Sequence, residues 1–278
     1  KGKYLLQKLL VNDIVYKLFS PFIFVSDRLK ASRNDYLIGG NSKRLTQLAD
    51  KIFPEKLISN GPFKGLLFSW VPSAASSTYA KLLGSYESEI HPFINTVLQR
   101  KYDVVINIGC DDGYYALGFA KLMPATIIKA YDINKQALDK AYELAVKNNL
   151  QQQVSFFAGF FSSDVEQLDR DSKMLFIVDC EGAEKDIFTA KNVHKLRNAD
   201  LIIELHINIY PELEDYFTGI FSDTHQIEIV NSIDDHLKAK QYSYPQLDGL
   251  DYDLRRFITQ EREVFMQWIL LSAKSGLV

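Results

Sequence analysis

The chain has 278 residues, of which 47% are hydrophobic and 24% charged, with a formal net charge of -3. This composition suits a folded protein with a sizeable core; it excludes a disordered chain and gives no basic footprint for duplex nucleic acid. The only cysteines, Cys110 and Cys180, are too few for a disulfide scaffold and are expected as buried thiols in a reducing, cytoplasmic setting.

No apolar run is long enough to span a bilayer; residues 4–25 come nearest, but Gln7, Lys8, Asn12, Asp13, Lys17 and Pro21 interrupt them. Leu5, Leu6, Leu9, Leu10, Ile14, Val15 and Leu18 make a helical stripe over residues 3–19, and Phe19, Phe22, Phe24 and Val25 extend it past Pro21. Such a stripe is either core or an amphipathic lid over a substrate pocket. A helix is expected over residues 42–53, ended by Pro54, then a turn at Gly61-Pro62, a short strand over residues 64–71 and a loop over residues 72–77 leading into a further helix. Residues 1–84 are thus expected to form a mainly helical N-terminal appendage, and residues 85–278 the main domain. Residues 85–100 read as a helix with Ile90, Ile94, Val97 and Leu98 at core spacing; Glu87 and His91 face either ligand or solvent.

The most informative stretch runs from Val104 to Asp132. Val104, Val105, Ile106 and Ile108 make the apolar run of a parallel strand covered on both faces, interrupted by Asn107. Gly109 and Gly113 permit a sharp turn and close backbone approach to a ligand, and residues 115–122 continue as a helix whose N-terminus faces the same place. A second strand over residues 126–131 ends at Asp132, where open α/β sheets bind ligands and a carboxylate can accept hydrogen bonds from ribose hydroxyls. A helix follows over residues 134–148. A third strand over residues 154–158 leads to Gly159, Phe160 and Phe161. Strands at residues 174–179 and 201–206 end in DCEGAE and ELH, and two more are expected at residues 225–230 and 264–271. The intervening residues 231–263 read as a long polar and aromatic connection containing Tyr242, Tyr244, Tyr252, Arg255, Arg256 and Arg262. It is either a substrate lid or a solvated excursion.

Charge discriminates among nucleoside ligands. A dinucleotide fold presents G-x-G-x-x-G and a helix N-terminus to a pyrophosphate, whereas Asp111 and Asp112 would repel one here. S-adenosylmethionine has no phosphate and carries a cationic sulfonium. The run Asn107-x-Gly109-x-Asp111-x-Gly113 resembles motif I of the class I S-adenosylmethionine-dependent methyltransferases, with Asn107 in place of the usual leading acid and Asp111 in place of the middle glycine. Residues 179–188, DCEGAEKDIF, followed by ADLIIELH at residues 199–206, resemble the D-x-E-G-x-E segment of the FkbM-type branch. The resemblance covers residues 85–272. It implies a Rossmann-like α/β fold, a seven-stranded sheet with helices on both faces and an antiparallel last strand, and methyl transfer to an oxygen or nitrogen of a small-molecule or glycan-like acceptor.

Expected cofactor contacts are Asn107, Gly109, Cys110, Asp111, Gly113, Asp132, Ile133, Gly159 and Phe160, with Phe160 stacking on adenine and Phe161 in the core. Asp179 and His206 are the expected catalytic residues. Residues two apart on a strand share a face, so Glu204 and His206 project together, with Asp179 on the neighbouring strand. A divalent metal (magnesium, manganese or iron) on Asp179, Glu204 and His206 is one outcome. The other is that Asp179 and Glu181 bond cofactor or backbone, Glu204 pairs with Arg255, Arg256 or Arg262, and His206 is a general base or a core residue. Two readings from other classes stay open: an S-adenosylmethionine-binding module without turnover, and a nicotinamide-dependent oxidoreductase on the same fold.

Overall fold

The computed structural model describes residues 43–68, 77–262 and 264–274. The amphipathic stripe over residues 3–19, its extension past Pro21 and the lid they were expected to form lie outside the described residues. By packing, the chain divides into two units, residues 1–50 and 51–278. Among the described residues, no helix is long and apolar enough to cross a membrane. Residues 43–52 are helical (α1). Where a strand was expected over residues 64–71, an isolated antiparallel bridge joins Leu57 and Leu67.

Helix α2 is Thr78–Leu83. In place of one helix over residues 85–100 there is a 3-10 turn, Ser88–Ile90, followed by α3, His91–Val97. The break falls at Glu87, whose left-handed φ of 50° no continuous helix accommodates. The strands are β1 (Val104–Ile108), β2 (Ile127–Asp132), β3 (Val154–Ala158), β4 (Met174–Val178), β5 (Ala199–Leu205), β6 (His225–Asn231) and β7 (Gln267–Ala273). Between them lie α4 (Tyr114–Leu122), α5 (Lys135–Lys147), α6 (Ser162–Glu166), α7 (Glu184–Ile187) and α8 (Leu213–Phe221).

The sheet has the order β3-β2-β1-β4-β5-β7-β6. Strands β1 to β5 are parallel, and β7 runs antiparallel to both β5 and β6. This is the Rossmann-like, seven-stranded methyltransferase sheet that the sequence resembles. Every residue of β4 and β5 is buried; β4 is an unbroken apolar run, as expected of a strand covered on both faces, whereas β5 buries Asp200 and Glu204 among its apolar residues. Phe176, Phe188, Phe217, Phe221 and Ile269 belong to one core cluster on this sheet. Strand order reverses between β1 and β4, so the loops leaving those two strands open a crevice at their carboxyl ends.

The connection between β6 and β7 is a folded helical segment rather than an irregular excursion. Helices α9 (Asp235–Gln241) and α10 (Tyr252–Thr259) flank a 3-10 turn, Pro245–Leu247. Asp234 and Asp251 cap the two helices through their side chains. Arg255 reaches back from α10 to the carbonyls of Ala239, Leu247 and Tyr242, at 2.7, 3.0 and 2.6 Å. It therefore supplies donors that the end of α9 and the linker cannot find locally. Arg255→Ala should lower stability by roughly 2–3 kcal/mol. Limited proteolysis should then cut first between residues 240 and 252; unchanged resistance would mean that the segment holds together without this side chain.

Candidate functional site

The crevice is built from the loops after β1, β2, β3 and β4. Gly109 and Cys110 donate their amides to the Tyr131 carbonyl, each at 2.9 Å, while Asp179 donates its own to the Ile108 carbonyl at 3.0 Å. These bonds bring the β1, β2 and β4 ends together. Gly109 has φ +72°, and a Cβ there would stand 1.6 Å from the Asp179 carbonyl oxygen. Glycine is thus required on both conformational and steric grounds. Asp111, which replaces a glycine of the motif, has φ 41° and so keeps a left-handed conformation, which aspartate tolerates better than most residues. Gly113, at φ +82°, precedes α4.

Both oxygens of Asp132 accept backbone amides: Oδ2 from Asp111 at 2.9 Å and Oδ1 from Asn134 at 2.7 Å. The carboxylate is thereby fixed between the first two loops, and each oxygen keeps further acceptor capacity. Asp112 does something different. It is buried, its Oδ1 accepts the Tyr114 amide at 3.2 Å, and its Oδ2 lies 2.7 Å from the Lys81 ammonium. A protein carboxylate therefore already serves the N-terminus of α4.

At the ends of β2 and β3 the surface is apolar. Ile133 is 87% exposed and Phe161 59% exposed, and both approach the Cα side of Gly159. Phe160, expected against the ligand, is buried edge-on to Tyr131 and Phe176, while Phe161, expected in the core, is exposed. Adjacent aromatics on an extended chain point to opposite faces, and Gly159, at φ +77°, sets which one turns inward.

Asn107 is buried within β1, and its amide donates to the Ile177 carbonyl of β4 at 3.2 Å. Cys110 and Cys180 are both free, and burial pushes both thiols above their usual range, so neither is a ready nucleophile. Glu87 is fully buried and bonded to Tyr115 and Arg262, and His91 bonds the Tyr86 carbonyl at 2.9 Å.

The charged heart of the site lies beyond β4 and β5. The His206 Nδ1 donates to Glu184 at 2.8 Å, and its Nε2 stands 3.6 Å from Asp179 and 3.4 Å from Glu181. Burial alone would lower the histidine's pKa, but the Glu184, Asp179 and Glu181 carboxylates outweigh it and raise it. Glu204 is bonded instead to Arg262, which also holds Glu87. Two acids, Glu87 and Glu204, thus share one guanidinium, and the charges of Glu87 and Glu204 are felt at Asp179. Burial, reinforced by Glu87, pushes Asp179 up to about 6, and burial, reinforced by Asp179 and Glu87, pushes Glu204 up to about 10. Each of these negative charges makes ionisation of its neighbours costlier. The ligand atoms of Asp179, Glu181 and His206 all lie within 4.8 Å of one another.

Arg262 also lines a cavity of about 730 Å³ with Ser232, Ile233, Arg256, Val264 and Phe265, at the end of the sheet where β6 finishes and β7 begins. Its size is that of small-molecule pockets. The signal available in the sequence for this cavity was the length of the connection between β6 and β7; its lining required the fold.

No family model matches the chain, and no curated protein matches it. Among solved structures, a putative rRNA methylase from Clostridium thermocellum is 10% identical, with TM-score 0.45, covering 67% of this chain and 96% of that one. An rRNA methylase from Streptococcus thermophilus is 11% identical, with TM-score 0.45 and coverage of 67% and 97%. A precorrin-6y C5,15-methyltransferase from Geobacter metallireducens is 14% identical, with TM-score 0.42 and coverage of 66% and 89%.

Two glycines with the same φ separate steric from conformational cost. Gly109→Ala forces a Cβ into the Asp179 carbonyl and should cost more than about 3 kcal/mol. Gly249→Ala has nothing within 4 Å of the new Cβ and should cost only about 1–2 kcal/mol from its left-handed backbone. Urea denaturation compares them; equal losses would contradict the close approach of β1 to β4.

Proposed function

We propose that the chain is an S-adenosylmethionine-dependent methyltransferase acting on an oxygen or nitrogen of a small-molecule or glycan-like acceptor. The observation that carries this reading is the placement of Asp112, whose carboxylate serves the N-terminus of α4 where a dinucleotide pyrophosphate would otherwise bind. A ligand with a nucleoside, no phosphate and a positive charge is compatible with that loop, which disfavours the nicotinamide-dependent oxidoreductase. The cavity beside Arg262 favours turnover over an inert binding module.

In this reading Asp132 accepts hydrogen bonds from the ribose hydroxyls, Ile133 and Phe161 cover the adenine, and Asp111 lies toward the methionine end. Bound there, S-adenosylmethionine would supply an electrophilic methyl group on sulfur. The residues beyond β4 and β5 orient the acceptor and exclude water; positioning of this kind provides much of the catalysis in a displacement. Asp179, held by its amide at the end of β1, is the residue best placed to receive the acceptor's proton.

Asp179, Glu181 and His206 also fit a divalent cation, with Glu181 in the place expected for Glu204. The buried Asp179 Oδ1 has no hydrogen-bond partner, and Glu184 holds His206 by Nδ1 so that Nε2 faces the acids. A metal held there would lower the pKa of an acceptor hydroxyl.

Two experiments test these assignments. Asp132→Ala should weaken S-adenosylhomocysteine binding at least tenfold by calorimetry, and a folded variant with wild-type affinity would remove Asp132 from the ribose site. Manganese titrated into the protein should give a bound signal by electron paramagnetic resonance that Asp179→Asn and His206→Gln abolish. Glu204→Gln should leave it in place. No bound manganese in the wild type would leave His206 as a protonated partner of its three acids.

A further inference from the structure

Lys81 stands outside everything the chemistry above requires, yet it is among the most deeply buried charges of the chain, with 7% of its side chain exposed. It lies on α2, well before the glycine loop, and its ammonium is 2.7 Å from Asp112 Oδ2. The rings of Phe68, Tyr86 and Tyr114 surround it, with centroids 5.5, 4.9 and 5.6 Å from the nitrogen. Aromatic faces and one carboxylate replace the water that an ammonium normally holds. Burial works against the charge, but Asp112 and Asp111 offset it, and the pKa of Lys81 is raised.

A buried ion pair of this sort is a weak source of stability, because desolvation cancels most of the attraction and an apolar pair of similar volume often does as well. What the pair does supply is direction. Asp112 has one oxygen on Lys81 and the other on the Tyr114 amide, the first of α4. On its other side, the amide of Asp111 holds Asp132, and Gly113 closes the turn onto the Cys110 carbonyl at 2.8 Å. One buried cation therefore anchors the turn that carries both the helix N-terminus and a contact to the ribose acid.

We infer that Lys81 is a positioning residue for the cofactor: by holding Asp112 it sets the conformation of residues 110–114 into which the nucleoside ligand fits. This rests on the methyltransferase reading for the identity of the ligand. Without Lys81, Asp112 becomes a buried anion beside Asp111, since burial already holds its carboxyl above the usual range. As an unpaired anion it is driven to turn outward to water, which breaks its link to Tyr114.

The test compares Lys81→Met with the double variant Lys81→Met/Asp112→Asn, using S-adenosylhomocysteine as the probe. Methionine fills the aromatic cage, and the side-chain amide that the double variant carries at position 112 can still accept from Tyr114 without needing a counter-charge. The single variant should bind at least tenfold more weakly than the wild type, and the double variant within about threefold of it. Deuterium uptake without ligand should rise in peptides covering residues 110–116 of the single variant and return in the double. Should Lys81→Met not fold, Lys81→Arg, which keeps the charge but displaces it, should weaken binding threefold or more with the same local uptake. A folded single variant with wild-type affinity and unchanged uptake overturns the inference, as does lowered thermal stability with unchanged affinity. Failure of the wild type itself to bind the probe overturns the methyltransferase reading, and this inference with it.

Discussion

The close approach of β1 and β4 is the constraint from which the rest of the site follows. A single Cβ at Gly109 would collide with the Asp179 carbonyl, so the two strands leave the sheet with their backbones in contact. That contact places the glycine loop, with Asp132 beside it, on one side of the crevice and the DCEGAE segment on the other. The glycine loop and the acid-histidine cluster come from opposite sides of the same switch point, and their separation is set by backbone rather than by flexible side chains. Groups held this way lose little freedom when a ligand binds.

Around that contact, among the described residues, several buried charges are paired across the chain. Lys81 meets Asp112, Arg262 meets Glu87 and Glu204, Lys238 meets Glu261, and His206 meets Glu184. Such pairs contribute little net stability, but removing one member leaves a stranded charge, so the arrangement is specified sharply. The Arg262 cluster joins three elements: the turn at Glu87, the end of β5 and the connection between β6 and β7. That connection is therefore tied to the carboxyl end of β5 rather than lying loose over it. Arg255 and Arg262 divide the labour: one holds the connection's own carbonyls and the other docks it.

The sheet was legible in the sequence because strands buried on both faces leave apolar runs, continuous in Met174–Val178 and in the Leu201–Ile203 centre of β5. The glycine loop and the acid that ends β2 were legible because their spacing reports backbone geometry directly. Helices α9 and α10 were not anticipated, although Asp234 and Asp251 are ordinary N-cap signals; each helix is under three turns long, and the aromatic and basic residues around them mask the periodicity. The partners of Lys81 and Glu87 were invisible because they lie 31 and 175 residues away in sequence. The choice between Phe160 and Phe161, and between Glu181 and Glu204 as neighbours of His206, turned on one backbone rotation each, at Gly159 and at Glu181, whose φ is 56°. Local pattern does not resolve rotations of that kind.

A crystal structure of the protein with S-adenosylhomocysteine tests the central claim most directly. The account predicts ribose hydroxyls within hydrogen-bond distance of both Asp132 oxygens, adenine between Ile133 and Phe161, and the sulfur facing Asp179 and His206. The opposite result would be a ligand lying elsewhere, or a dinucleotide accepted in its place with its pyrophosphate at the N-terminus of α4 and Asp112 displaced from Tyr114.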